Sequence, residues 1–146
     1  MFAHGLLAPI VALAAWSLIM LIWLYATRIP AMQRAGIKPG QISNDPAAPS
    51  KLPAWARNVA DNYNHLMEQP TIFYATCFAL QLLGATDQNT VLLAWVYVAL
   101  RLIHSLVQAT VNIILVRFSI FVAASVVLGF LIYRAALGVG LLQFSF

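Results

Sequence analysis

The sequence begins with an uncharged apolar run, Leu6 to Thr27, that constrains the fold more than any other feature. A helix of about 20 residues crosses roughly 30 Å of hydrocarbon, and this run is long enough to do so. It is not typical of a signal peptide, because no Lys or Arg precedes it and such peptides have only about 7–15 apolar residues. The whole chain is 62% apolar and 8% charged, whereas soluble domains are about 25% charged. We therefore expect an integral membrane protein.

Three further helices are predicted to cross the membrane. The second begins near Ala54, is polar at first and becomes apolar from Thr71, which predicts a span over about 57–83. The third and fourth spans cover about 90–111 and 117–137, with a short connection near Asn112. Residues 28–56 are polar and rich in Pro, which is typical of a loop. The predicted fold class is an all-α integral membrane protein, with one domain over 1–146 and a four-transmembrane-helix bundle.

The basic residues predict the orientation. Lys and Arg in short loops favour the cytoplasmic side, and the first loop with its flanks has five of them: Arg28, Arg34, Lys38, Lys51 and Arg57. The turn at 84–89 has no Lys or Arg. We expect the first loop and the connection before Arg117 on the cytoplasmic side, and both termini outside. The basic residues are too dispersed for a nucleic-acid surface, so the expected surroundings are membrane lipids.

Polar residues form a stripe at the start of the second helix. Arg57, Asp61, Asn64 and Glu68 follow one another at steps of four, three and four residues, which places them on one helix face. A second line broadens this face: Asn58, Asn62, His65 and Gln69. The face is either a solvated helix end or one wall of a polar site. Glu68 favours the site, because it is the deepest of these residues and the chain has no other Glu.

The third helix has a single polar face, and the fourth begins with a cation. The polar face comprises Arg101, His104, Ser105, Gln108 and Asn112. Polar groups at membrane depth face protein or water, so the face either holds the bundle together, with Glu68 pairing Arg101, or forms a site. Arg117 is either an interfacial arginine or a cation that stabilises an anion or a thiolate at the same membrane edge.

Several types of site are excluded by motif. The chain has no phosphate-binding glycine loop, no zinc-type His spacing and no Cys pair. We therefore expect no metal. The single cysteine, Cys77, lies among apolar residues and is expected to be an inert core thiol.

These features resemble the MAPEG family, the membrane-associated proteins in eicosanoid and glutathione metabolism. The resemblance rests on four short spans, a basic first loop and three motifs: Asn64-His-Leu-Met-Glu68-Gln-Pro70, Arg101-Leu-Ile-His104-Ser and Arg117-Phe118. It extends over nearly the whole chain. The sequence looks closest to a bacterial branch of the family, which implies a multi-pass protein of the bacterial inner membrane.

The resemblance implies a homotrimer that binds glutathione as a co-substrate between protomers, near the cytoplasmic side. It assigns the catalytic role to Arg117, which lowers the pKa of the glutathione thiol. The thiolate then attacks a lipophilic electrophile or reduces a hydroperoxide, which defines a glutathione-dependent transferase or peroxidase. The resemblance assigns glutathione binding to Asn64, Glu68 and Arg101. We expect Arg57, His104 and Gln108 to complete the binding site where this sequence departs from the family pattern.

Departures from the family pattern leave a second hypothesis open. Asn64 and Glu68 are four positions apart, where characterised members commonly have three, and the family's preceding arginine falls on Ala60. The tyrosine after the Glu is Gln69, and two aromatic positions of the third helix fall on His104 and Gln108. The alternative is therefore a non-catalytic membrane scaffold or accessory subunit. A transporter is less favoured, because the chain lacks paired helices broken by Gly or Pro.

Overall fold

A computed structural model describes residues 5–142 of the chain. Within this range it is all-helical and has no strand, which confirms the predicted all-α class. A 3₁₀ turn, Ala48–Lys51, separates the second helix from the third. The helices are α1 (Leu7–Ala35), α2 (Pro39–Asn44), α3 (Ala54–Leu66), α4 (Gln69–Leu82), α5 (Gln88–Ala109) and α6 (Ile114–Gly138). The extreme ends of the predicted domain lie outside the described residues.

Three helices of the described range, α1, α5 and α6, are long and apolar enough to cross a membrane. They correspond to the first, third and fourth predicted spans. Helix α4 has 14 residues, which is about 21 Å at roughly 1.5 Å per residue and shorter than about 30 Å of hydrocarbon. The structure thus describes a helical membrane protein with three helices that each qualify as a span alone.

Helix α1 extends further than the sequence predicted. We expected Arg28 and Pro30 to end it, but it continues through Pro30 to Ala35 and is closed by Gly36, whose φ of 66° is left-handed. A proline inside a helix removes one backbone hydrogen bond. Tertiary packing offsets this loss, because Ala31 is buried in a small cluster with Leu52 and Ala56. The first part of the predicted loop 28–56 is therefore helical.

The second predicted span is divided. We expected one continuous helix from about Ala54 to Leu83, but α3 ends at Leu66 and α4 begins at Gln69, with Glu68 at φ −91° and ψ −97°. Pro70 explains the break, because its ring has no N–H and clashes with the carbonyl group of the residue four positions earlier. The break leaves the last carbonyl groups of α3 free to accept other donors.

Helix α5 lies at the centre of the bundle and packs against α1, α3 and α6. The largest core cluster joins α1, α4, α5 and α6, and within it the rings of Phe73 and Tyr97 stack with centroids 4.4 Å apart. Cys77 is fully buried in this cluster. Most of the α6 surface is exposed, since its buried residues are Ala124, Leu128 and Leu131. Exposed apolar faces on such helices are suited to contact with lipid.

An ion pair closes the end of the bundle opposite to the basic loop. Arg134 is a basic residue at this opposite end, and its Nη1 donates to Asp87 Oδ2 at 2.5 Å. Asp87 also accepts from the hydroxyl of Thr90 at 2.5 Å and from its backbone N–H at 3.3 Å. The Thr90 and Arg134 donors lower the pKa of Asp87 to about 2. The charge of Arg134 is therefore neutralised locally.

Candidate functional site

Two parallel polar lines run along α3 into the start of α4, and they face different surroundings. The predicted stripe of Arg57, Asp61, Asn64 and Glu68 is exposed on the single chain. The neighbouring line, one position further along, points into the bundle: Asn58, Asn62, His65 and Gln69 are buried or half-buried. Amide side chains supply both donors and acceptors and have no charge to desolvate, so they suit this inner position.

The inner line connects the helices through hydrogen bonds. Asn62 is fully buried and its Nδ2 donates to Ser105 Oγ at 2.6 Å, while Trp16 Nε1 donates to the same oxygen at 3.0 Å. Gln69 Nε2 donates to Ser125 Oγ at 2.7 Å, and Gln69 Oε1 accepts from Tyr97 OH at 3.2 Å. The first group joins α1, α3 and α5, and the second joins α4, α5 and α6. Part of the polar face predicted on α5 therefore has a structural role.

Arg101 is fully buried next to the break between α3 and α4. Its Nη2 donates to the backbone carbonyl of His65 at 3.1 Å, and its guanidinium carbon lies 5.9 Å from the centroid of the Phe121 ring. Its Nε and Nη1 have no hydrogen-bond partner among residues 5–142. A buried cation with unused donors has the capacity to bind an anionic or carbonyl oxygen.

The pair between Glu68 and Arg101 that the sequence allowed does not form. Glu68 Oε2 instead lies 3.0 Å from His65 Nδ1, and the Glu68 side chain is 69% exposed. The break at Met67 and Glu68 explains the difference, because the non-helical backbone of Glu68 interrupts the stripe that the prediction treated as continuous. Glu68 therefore reaches the interior only through His65.

A pocket of about 220 Å³ opens beside Arg117, at the end of the bundle that carries the basic loop. Its polar wall contains Arg117, His65 and His104, and the two imidazole rings lie 5.0 Å apart. The apolar wall comes from the first two turns of α6 and consists of Ile114, Phe118 and Phe121. A cation, two imidazoles and an apolar wall can bind a molecule that is anionic at one end and apolar at the other.

Asn112 determines where the Arg117 guanidinium lies. Arg117 Nη1 donates to Asn112 Oδ1, and Asn112 Nδ2 donates to Asn58 Oδ1 at 2.9 Å. Asn112 has a φ of 51°, in the left-handed region that Gly and Asn adopt most readily. Asn112 lies within the connection between Ala109, where α5 ends, and Ile114, where α6 begins. The sequence predicted a connection near this residue. Its backbone conformation and its amide together hold Arg117 at the pocket.

A second polar cleft, of about 200 Å³, lies between α1, the 3₁₀ turn and α3. Its polar wall contains Arg28, Arg57, Asp61 and Asn64. Two of the predicted site residues, Arg57 and Asn64, therefore lie in this cleft, whereas two others, Arg117 and His104, lie in the pocket. Glu68 is exposed and contacts His65.

Arg101 and Gln108 are buried inside the bundle. The Gln108 Oε1 atom has no hydrogen-bond partner within the described part of the chain. Among residues 5–142 there is no group of three or more His, Cys, Asp or Glu that could hold a metal ion.

Sequence reasoning missed the residues that position the site. The sequence places Asn58 and Asn112 on polar helix faces and a connection near Asn112, but it does not indicate that either residue positions Arg117. It does not distinguish Phe121 from the other apolar residues of α6. Asn58 follows Arg57 directly, so it begins the neighbouring polar line of α3. That position is the sequence signal for its role. Phe121 lies one helical turn after Arg117, a spacing that places both on one face of α6.

Comparison with known proteins gives one match. The model of the MAPEG family matches residues 6–137, nearly the whole chain. Neither the curated proteins nor the solved structures give a significant match.

Proposed function

The chain belongs to the MAPEG family, and from this premise we propose that it binds glutathione and acts as a glutathione-dependent transferase or peroxidase on lipophilic electrophiles. The observation that carries the proposal is the pocket in which Arg117, His65 and His104 face an apolar wall. Glutathione is anionic, and the electrophile of such a reaction is apolar. The pocket offers a surface for each.

Arg117 has the central role in the proposed reaction. When bound, glutathione would supply a thiolate that forms a carbon–sulfur bond with an electrophile, as an electron pair moves onto the acceptor or a leaving group departs. With a hydroperoxide, two glutathione molecules would be oxidised to the disulfide while the O–O bond is reduced to an alcohol and water. A free thiol has a pKa of about 8.5, and a nearby guanidinium favours the thiolate by charge and by hydrogen bonding. Arg117 is held by Asn112 and has its Nε unpaired within residues 5–142, so the guanidinium retains a donor for this purpose.

The residues of the chain fit a peptide with two carboxylates. Arg101 has two unused buried donors, and Arg57 and Asn64 form a polar cleft on the outer side of α3. The pocket of about 220 Å³ in one protomer is small for a tripeptide, compared with about 300–1,000 Å³ for typical ligand sites. We infer that a neighbouring protomer completes the site, and that the protein is a homotrimer.

The exposed polar stripe supports this assembly. Arg57, Asp61, Asn64 and Glu68 are exposed on the single chain, close to the start of α4. Polar groups near membrane depth need protein or water around them, and a second protomer meets this need. We infer a fourth span from the same arrangement, in which α3 enters from outside the bilayer and α4 continues through it.

The proposed topology places both termini outside and the first loop in the cytoplasm of a bacterial inner membrane. The five basic residues of the first loop and its flanks support it. The ion pair of Arg134 with Asp87 adds support, because it removes the only net positive charge at the opposite end of the described helices.

A non-catalytic scaffold is the second candidate, and a specific observation favours it. Asn62 and Ser105 are fully buried and bonded to each other, and Arg101 donates to the backbone of α3. These polar residues are therefore engaged inside one protomer without any ligand. On this hypothesis the polar layer serves only to hold the helices and the oligomer together.

The decisive experiment measures thermal unfolding in detergent with millimolar glutathione. Ligand at about 100 times its Kd stabilises by about 2.7 kcal/mol, which is on the order of 5–10 °C for a chain of this size. We expect this shift for the wild type and for the control Arg34→Gln, whose side chain is exposed in the last turn of α1. Arg117→Gln and Glu68→Gln should reduce it.

The scaffold hypothesis predicts a different pattern. Glutathione should then cause no shift in the wild type, while Asn62→Leu and Glu68→Gln lower the unfolding temperature or the share of trimer. A wild-type protein that does not respond to glutathione would refute the proposed enzyme. Full retention of trimer and heat stability in both variants would refute the scaffold.

A further inference from the structure

The outer turns of α1 form a further cleft with α2, which shares only Arg28 with the polar cleft between α1 and α3. The cleft has a volume of about 560 Å³. Its walls include Tyr25, Arg28, Ile29 and Met32 from α1 and Ile42 from α2. One charged group thus lies in an otherwise mostly apolar groove.

The depth of this cleft follows from the length of α1. The helix begins at Leu7, and about 20 residues cross the hydrocarbon, so the apolar layer ends near Thr27. Tyr25 and Arg28 therefore lie at the level of the lipid head groups, where Tyr is enriched and Arg extends toward the phosphates. Tyr25 is 55% exposed and Ile29 is 51% exposed, so both are available to a ligand from the bilayer.

The charge around the cleft is positive. Residues 28–56 contain Arg28, Arg34, Lys38 and Lys51 against the single acid Asp45, and Lys51 Nζ pairs with Asp45 Oδ2 at 3.4 Å. The other three cations have no carboxylate within 4.0 Å among the described residues. A cluster of Lys and Arg beside a membrane span attracts anionic lipid head groups.

We propose that this cleft binds an anionic phospholipid. The lipid phosphate lies against Arg28, the upper part of an acyl chain lies against Tyr25 and Ile29, and α2 covers the glycerol side through Ile42. A free anion does not need the apolar walls. A second copy of the chain fits this cleft less well, because its first loop offers Arg28 only one acid, Asp45, and that acid is already paired with Lys51.

The test compares lipids on purified protein in detergent without glutathione. We expect phosphatidylglycerol to raise the unfolding temperature and to remain bound in native mass spectrometry, while phosphatidylcholine and free glycerol 3-phosphate do not. Arg28→Gln should weaken phosphatidylglycerol retention by about fivefold, since one basic residue at a membrane surface contributes about 1 kcal/mol. The control Arg34→Gln removes one charge from the same end of the same helix but no contact in the cleft, so it should weaken retention less than Arg28→Gln does.

Two further variants separate this proposal from the glutathione proposal and from a protein contact. Tyr25→Ala should lose the phosphatidylglycerol effect and keep any glutathione effect, because Tyr25 lines only the lipid cleft among the sites described. Equal stabilisation by phosphatidylcholine, or equal losses in Arg28→Gln and Arg34→Gln, would overturn the lipid site. Cross-linking of two Ile42→Cys chains through this residue would overturn it in favour of a second copy.

Discussion

Asn112 offers the sharpest perturbation of the site, because its backbone and its side chain have separate roles. The φ of 51° is left-handed, and the amide bridges Arg117 and Asn58. Asn112→Gly removes the amide and keeps a residue that adopts this backbone freely. Asn112→Ala removes the same amide and adds strain.

The expected loss of stability comes from the lost hydrogen bonds of the amide and, in the alanine variant, from the strain of the left-handed backbone. Each variant loses two hydrogen bonds, worth about 0.5–1.5 kcal/mol for the one to Asn58 and about 1.5–3 kcal/mol for the charged one to Arg117. Alanine in the left-handed region costs roughly 1–2 kcal/mol more than glycine in the folded state. Part of this difference is offset, because the unfolded chain with glycine has more conformational entropy to lose on folding. We expect Asn112→Ala to be less stable than Asn112→Gly by about 1 kcal/mol, or about 2–4 °C.

The assay is thermal unfolding followed by tryptophan fluorescence, with and without glutathione. Both variants should lose most of the glutathione shift, because Arg117 is no longer held at the pocket. Asn58→Ala serves as a control that removes one hydrogen bond and leaves the connection intact. An alanine variant at least as stable as the glycine variant would refute the left-handed geometry. A full glutathione shift in both would refute the positioning role of Asn112.

Two other perturbations test separate parts of the structure. Arg101→Met should leave the unfolding temperature within a few degrees or raise it, because burial of a charge costs several kcal/mol and its bond to the His65 carbonyl returns only about 1.5–3 kcal/mol; Arg101→Ala should lower it by leaving a cavity. An equally large drop in both would contradict this reasoning. The lowered pKa of Asp87 stabilises the fold above the pKa of the unfolded chain, and this contribution disappears as the pH falls toward about 2. Heat stability should therefore fall between about pH 4 and pH 2 in the wild type and less in Asp87→Asn, and identical pH profiles would exclude this pair as a source of stability.

The positions of three long helices could be predicted because apolar run length is a direct physical requirement of the bilayer. The third predicted span, 90–111, differs from α5 by two residues at each end. The left-handed Asn112 lies where the connection was expected, although neither Gly nor Pro marks that stretch. After Gly, Asn is the residue that adopts a left-handed backbone most readily. Asn112 therefore indicates a connection, but less clearly than a Gly would.

The break between α3 and α4 was not predicted, although Pro70 was visible in the sequence. A proline is tolerated in the first turn of a helix and disruptive in its interior, and the sequence does not say which turn it occupies. Pro30 shows the opposite outcome, because α1 continues through it. Whether a helix continues through its proline or breaks there depends on how the residues that follow the proline pack.

The inward-facing line of α3 could not be chosen from periodicity. The lines that begin at Arg57 and at Asn58 have the same steps of four, three and four residues and lie about 100° apart on the helix. The hydrogen-bond partners on α5 and after it determine which line faces inward. Ser105 accepts from the amide of Asn62, and Asn112 donates to the amide of Asn58, while the charged residues of the other line remain exposed. Periodicity also allowed Glu68 to pair with Arg101, whereas Glu68 lies against His65.

The proposed reaction depends on the guanidinium of Arg117 stabilising a bound thiolate. The most direct measurement follows the ultraviolet absorbance of the thiolate while glutathione bound to the purified protein is titrated with base. We expect the bound thiol to titrate well below the value of about 8.5 for a free thiol, and we expect Arg117→Gln but not Arg34→Gln to return it toward that value. A thiol that titrates at its free value on the wild-type protein would show that Arg117 does not stabilise the thiolate.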